Sequence, residues 1–339
     1  MVEQRSAWPR FENFIRHAWQ FSGIARNLPA VLMHLFLCIP SGFAAAHAQQ
    51  PRVPPLQQLA PNVYAAVNQN ADAAPDNRGA VANQGILIGD TGVILVDTGT
   101  SVRYGSELMA RIRQLTSKPV VLAINTHQNP AFVFGNGAPE LQGVPILAHR
   151  DAAELIRQRC EKCLKNLNDI LGTDEMQDTR VVAPTQLIDG PTSLEAGGRR
   201  LEIVYYGQSS SPGSIGVIDT ASGVLFAGGL ASIDRVPDAK DARIETWLYA
   251  LDALKARNLR IMVPGEGPVS PVERVDELAA YLKALQSAVT AGYKQGVALS
   301  EAGQRSELPR FRGWPLYSTA HKKNVEQQYL LLERNGLNK

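Results

Sequence analysis

The stretch INTHQNPAFVFGNG, Ile124 to Gly137, decides the fold of this chain and frames the question of its chemistry. It continues PVVLAINTH (Pro119 to His127), a β-branched run that reads as a strand, so the strand should end here and pass into a loop. Strand-end loops are where reactive side chains gather. This one offers His127, then Asn129, Ala131 and Phe132, and closes on the turn Gly135-Asn136.

Working outward, strands and helices alternate. NVYAAV (Asn62 to Val67), QGILIG and GVILVDTG (Gln84 to Gly99) read as strands, the last two joined at Asp90-Thr91-Gly92. Leucines and isoleucines recur at helical spacing from Ser101 to Leu115. VPILAH (Val144 to His149) is a further strand, and Asp151 is expected to cap a helix running to about Leu171. The second half repeats the theme. RLEIVYYG, SIGVIDT and GVLFAGGL read as strands, Glu245 to Ala256 as a helix, RIMVPGEG as a strand and Val272 to Tyr293 as a helix. Two β-rich halves, each followed by helices, predict an α/β fold of the αβ/βα four-layer sandwich type.

Composition sets few limits beyond this. The chain has 339 residues, 45% of them hydrophobic, enough for one large domain. Setting aside the four arginines and two glutamates of residues 1–48 leaves 30 basic against 30 acidic groups, which gives no footprint for nucleic acid or an anionic membrane. Residues 1–48 read as an export signal: basic residues up to Arg26, the apolar run AVLMHLFLCIP (Ala30 to Pro40), and a small-x-small site at Ala46-His47-Ala48. The competing reading, a membrane anchor, needs a longer apolar run than this one, which Pro40 and Gly42 interrupt. The expectation is therefore a periplasmic or secreted protein, free of the membrane after cleavage near Ala48. Residues 49–61, rich in proline and glutamine, read as a flexible leader, residues 62–296 as the main domain and residues 297–339 as a helical tail packed on it.

Five landmarks, in order, resemble the metallo-β-lactamase superfamily. The stretch from Thr126 to Asn136 resembles the family's T-H-x-H-x-D-H followed by a glycine turn, with Asn129, Ala131 and Phe132 where two histidines and an aspartate are implied. Val96-Asp97-Thr98-Gly99 resembles V-D-x-G, whose aspartate supports the metal loop from behind. Gly207-Gln208-Ser209-Ser210-Ser211-Pro212-Gly213-Ser214 resembles G-x-x-H-[ST]-P-G-S, with Ser210 at the histidine. Leu225-Phe226-Ala227-Gly228-Gly229 resembles L-F-x-G-D, with Gly229 at the bridging aspartate, and Val263-Pro264-Gly265-Glu266-Gly267 resembles V-P-G-H-G, with Glu266 at the last histidine.

The family chemistry uses two zinc ions held by histidines and carboxylates, with an open position for a water whose pKa falls to about 7. At the implied positions beyond His127, Glu266 and Asn129 alone offer a donor atom, and Phe132 puts an apolar ring there. His17, His34 and His47 lie in the leader, leaving His127, His149 and His321 for the mature chain. The sequence thus predicts no cofactor. Two alternatives stay open: a mononuclear zinc site on His127, Glu266 and Asn129, or a His127 that only holds the loop through Asp97. Ser209, Ser210 and Ser211 raise the prospect of a nucleophile with His127 as base, which turn-forming serines before Pro-Gly also explain. The catalytic candidates are accordingly His127, Ser210 and Glu266.

Cys160 and Cys163 sit in IRQRCEKCLKNL. In an exported protein such a pair is expected as a disulfide clip, with a redox couple or half a zinc site as alternatives. The C-x-x-C helix, the segment Asp178 to Thr185, and a tail with Trp314, Tyr317, His321, Asn324-Val325, Tyr329 and Glu333 resemble the exported quinoprotein relay system zinc metallohydrolases. That resemblance implies a periplasmic quinoprotein dehydrogenase or cytochrome as partner. Two functions compete: an accessory protein binding a small molecule or such a partner through the emptied pocket, and a hydrolase of ester, thioester or lactone bonds with a rebuilt site.

Overall fold

The structure, a computed structural model, describes residues 52–337. The predicted export signal lies outside them, and no described helix is long and apolar enough to cross a membrane.

The strands form two sheets. The first has seven strands in spatial order: β1 (Gln57–Ala60), β2 (Val63–Ala66), β3 (Gln84–Ile88), β4 (Val93–Val96), β5 (Val120–Ile124), β6 (Ile146–His149) and β7 (Gln186–Ile188). Pairing is antiparallel from β1 to β4 and parallel from β4 to β7. The second has five: β12 (Ile261–Glu266), β11 (Val224–Ser232), β10 (Gly216–Asp219), β9 (Arg199–Val204) and β8 (Thr192–Ala196), with β11 and β12 parallel and the rest antiparallel. The helices are α1 (Val102–Leu115), α2 (Pro130–Val133), α3 (Arg150–Leu171), α4 (Ile244–Lys255), α5 (Val275–Lys294), α6 (Leu299–Arg305) and α7 (Lys322–Leu337).

The period-two geometry of a strand explains why β3 and β4 read as unbroken apolar runs. Leu87, Ile94 and Val96 face the second sheet and meet Ile203, Val217 and Phe226, while Ile86, Ile88, Val93 and Leu95 face outward onto Tyr104, Leu108 and Ile112 of α1. The other outer layer is α4 and α5, where Trp247, Leu251, Tyr281 and Leu285 cover Leu225, Ala227 and Met262. The expected four-layer αβ/βα sandwich is the observed one.

Three local readings change. The leader is not flexible throughout: Arg52 grips Glu175 at 2.9 Å, the Glu107 carboxylate accepts from the backbone N–H of Arg52 and Val53, and Gln57–Ala60 joins the sheet. The cap of α3 is His149, whose Nδ1 accepts from the Asp151 N–H at 3.2 Å, so Asp151 sits inside the first turn. Cys160 and Cys163 are free thiols and not a disulfide. Cys160 points inward and donates to the Gln128 carbonyl, while Cys163 lies partly exposed one turn on. Their shared helix carries the two sulfurs to different environments, so spacing alone does not bring them to bonding distance.

Tyr317, Val325 and Tyr329 of the tail join the core beside α4 and α5, and not from a single α-helical face. Tyr317–His321 is a π-helical turn leading into α7. His321 stacks on Tyr317 with centroids 4.5 Å apart, donates from Nε2 to the Ser306 carbonyl at 2.9 Å, and receives the Tyr281 hydroxyl at Nδ1. Asn324 accepts from the Ala239 N–H at 2.9 Å and donates to the Pro237 carbonyl at 2.8 Å. The tail therefore fixes the loop from Asp234 to Asp241, which borders the candidate site.

Candidate functional site

The five landmark loops converge at one end of the two sheets. Asp97, at the end of β4, organises them. Its backbone has φ of 59°, a left-handed conformation that Asp and Asn tolerate better than other side-chain-bearing residues. Its carboxyl accepts from the Thr126 N–H at 2.8 Å and the Thr126 hydroxyl at 2.6 Å. Complete burial pushes its pKa up to about 8, against the lowering effect of those two bonds. Asp97 thus supports the loop through Thr126 and not, as the sequence suggested, through His127. The Gly135-Asn136 turn has a similar task. Gly135 lies so close to Thr98 that a Cβ would stand 1.9 Å from its carbonyl oxygen, and Asn136 exchanges amide bonds with Asn125 at 2.7 and 3.1 Å.

His127 is buried, and both ring nitrogens have partners. Nδ1 accepts from the Asn129 backbone N–H at 3.1 Å, so the proton of the neutral ring resides on Nε2. Nε2 stands 3.1 Å from Ser211 Oγ and donates to it, and Ser211 passes its own proton to Gln128 Oε1 at 2.6 Å. The chain of donors runs one way, from Asn129 through His127 and Ser211 to Gln128. Burial also lowers the imidazole pKa to about 4, Asp238 opposing weakly, so the ring is neutral at physiological pH.

The other implied ligand positions are occupied by structural side chains. Phe132 is buried, its ring 5.3 Å from that of His127 and against Gly265. Asn129 caps α2 by accepting from the Ala131 N–H at 3.0 Å, and Ala131 is buried inside that short helix. Ser210 bonds Ser214 at 3.0 Å and does not reach His127; the neighbouring Ser211 does. The imidazole lies over Gly229, where a Cβ would stand 2.2 Å from His127 Cδ2. A side chain there would compete with the ring for the same space.

Glu266 is brought to the same end of the sheets but is engaged elsewhere. Arg235, itself buried, places Nε 3.4 Å from Glu266 Oε2, and the Ser232 hydroxyl lies 3.4 Å from the same oxygen. Burial raises the Glu266 pKa and the guanidinium opposes it. Among the described residues, no three His, Cys, Asp or Glu side chains are placed to share a metal ion.

Two residues of this site, Arg235 and Asn83, went unread in the sequence, and Ser211 was read there only as one of three serines near His127. Arg235 lies in an irregular loop, and its pairing with Glu266 across 31 positions has no periodic signature. Ser211 is one of three consecutive serines, and only the backbone path of the turn selects it. Asn83 holds the loop of Glu266 by donating to the Pro264 and Gly267 carbonyls at 2.9 and 2.8 Å.

Residues 78–266 match the family model described as the metallo-beta-lactamase superfamily. The chain is 24% identical over 221 residues to a linear primary-alkylsulfatase from a Pseudomonas species, an alignment covering 55% of this chain and 42% of that one. It thus spans less than half the length of this relative. Among solved structures it is similar to a metallo-beta-lactamase from Pontibacter korlensis, with 20% identity, TM-score 0.55, 67% of this chain and 98% of that one covered. DIM-1 metallo-beta-lactamase gives 18% identity, TM-score 0.54, and coverage of 68% and 98%.

Proposed function

This chain belongs to the metallo-β-lactamase superfamily, and we propose that within it the protein acts as a non-catalytic accessory or binding protein whose pocket has given up the dinuclear zinc centre. The observation that carries this reading is the state of His127. A ligating imidazole needs a bare nitrogen aimed at the metal. Here the bare nitrogen, Nδ1, faces a backbone N–H, and Nε2 carries the proton. The remaining donor, the Glu266 carboxylate, is paired with a guanidinium. Two zinc ions require several such donors around an open water position, and this set does not fit them.

The partner we propose is a periplasmic quinoprotein dehydrogenase or cytochrome, with the chain exported through its first 48 residues. The C-x-x-C helix and the tail that anchors the loop around Asp238 support that reading by resemblance. The pocket or its rim would supply the surface for the partner or for a small molecule.

A metal-free hydrolase is the second reading, favoured by the Ser211–His127 contact at 3.1 Å and by the hydrolytic activities named for the relatives. The direction of the hydrogen bond opposes it. A serine is activated when histidine Nε2 accepts its proton, whereas this Nε2 is a donor. Assays on alkyl sulfate, β-lactam, lactone and thioester substrates decide between them. The accessory reading expects no turnover above that of a His127→Ala variant; turnover abolished by His127→Ala or Ser211→Ala would overturn it.

A further inference from the structure

We propose that a cleft bounded by α3, α4, α5 and α7 binds a small amphipathic carboxylate, an aliphatic acid whose head group is held by Arg243 and Arg334. The cleft has a volume of about 620 Å³, within the roughly 300–1,000 Å³ typical of small-molecule sites. His127, Ser211 and Glu266 do not line it, so it lies outside the pocket described above. The inference therefore stands whether or not that pocket holds metal or turns over a substrate.

One wall of the cleft is preformed. It is the segment from Ala239 to Arg243, which three elements hold in place. From α3, Arg159 pairs with Asp241 at 2.7 Å. From the serine loop, Gln208 Nε2 donates to the Asp241 carbonyl at 2.8 Å, and the Ser209 carbonyl accepts from the Arg243 N–H at 2.9 Å. From α7, Gln328 Nε2 donates to the Ala239 and Ala242 carbonyls at 3.1 and 3.2 Å. A ligand thus meets a wall already ordered by folding, which lowers the entropy lost on binding.

Those same contacts show which groups are left to bind. Arg159 and Lys240 are neutralised by Asp241 and Asp238. The amides of Gln208 and Gln328 are committed to carbonyls, and that of Gln286 to the Glu245 carboxylate. Two lining cations, Arg243 and Arg334, have no carboxylate partner and no side-chain hydrogen bond among the described residues. A guanidinium presents a planar fork of N–H donors that matches the two oxygens of a carboxylate. Four lining cations against the carboxylates of Asp238, Asp241 and Glu245 leave a surplus of one positive charge, which suits a monoanion. Ile244, Val289, Leu331 and Leu332 line the same cleft with apolar surface. An aliphatic chain laid against them leaves water while its carboxylate reaches the guanidiniums.

The test is calorimetric titration of the purified full chain, at low salt, with octanoate, octylammonium and octan-1-ol, which share a chain and differ in head group. Expected is one octanoate per chain, with dissociation constants at least about tenfold higher for octylammonium and about fivefold higher for octanol. Arg243→Met and Arg334→Met should each weaken octanoate binding at least about fivefold. Both side chains are exposed, so neither replacement disturbs the core. Arg200→Met removes an exposed arginine of β9 outside the cleft and should leave the affinity unchanged. No octanoate binding, equal affinity for the three head groups, or equal weakening in Arg200→Met would each overturn the proposal.

Discussion

Acidification provides a quantitative handle on His127. In the folded chain its pKa lies at about 4, against an ordinary value of 6.5, because the ring is buried and both nitrogens are matched to the neutral form. As pH falls, the unfolded chain therefore binds a proton first. The stability that His127 contributes is complete above about pH 6.5 and is lost as pH falls toward 4. Each pH unit separating the folded and unfolded values corresponds to about 1.4 kcal/mol. The full loss is then about 3 kcal/mol, of which about 2 kcal/mol is realised by about pH 5. Asp97 works in the opposite sense. Its carboxyl, raised to about 8, favours the folded state as pH falls through 8 toward the ordinary 3.8. Comparing the wild type with His127→Gln cancels that contribution. Urea unfolding at about pH 7.5 and about pH 5 should show the wild type losing about 2 kcal/mol more than His127→Gln. Equal losses would refute the reasoning, as would an imidazole resonance for His127 titrating near the ordinary value.

Other residues give further checks. Phe132→Ala should cost about 3 kcal/mol in denaturant unfolding, since the ring is buried against His127 and Gly265. Arg235→Met should cost about 3 kcal/mol by leaving Glu266 uncompensated, and the double variant with Glu266→Leu should recover most of it. A double variant no more stable than Arg235→Met would separate Arg235 from Glu266. At neutral pH Asp97→Asn should lie within about 1 kcal/mol of wild type, because the native carboxyl is largely protonated and Asn tolerates the same φ, whereas Asp97→Ala should lose about 2 kcal/mol through Thr126. Similar losses for the two would show that the charge, and not the shape, of Asp97 holds the loop.

Much of the frame was legible because it is written in local patterns. The β-branched runs of β3, β4 and β5 and the helical spacing of α1 declare themselves in short windows. The strands that went unread, β1, β7 and β8, are short and only partly buried, so neither apolar run nor clean alternation marks them. The leader was misjudged because glutamine and proline disguise a strand that backbone pairing with β2 secures. Which loops meet was equally legible, since the landmarks stand in order along the chain. How their residues are used was not. That His127 aims a bare nitrogen at its own loop, that Ser211 and not Ser210 meets it, and that Arg235 answers Glu266 all depend on contacts between distant loops. The C-x-x-C spacing was ambiguous for a related reason: it fixes two Cα positions and leaves the side-chain directions to the packing of α3 against Gln128.

The central claim, that the pocket no longer serves as a zinc centre, is tested most directly by the metal content of the purified protein. The chain is purified without chelator, incubated with excess zinc, desalted and analysed by mass spectrometry of the elements. The account predicts fewer than about 0.1 zinc per chain, unchanged by His127→Ala. About one or two zinc per chain, lost on His127→Ala, would contradict it.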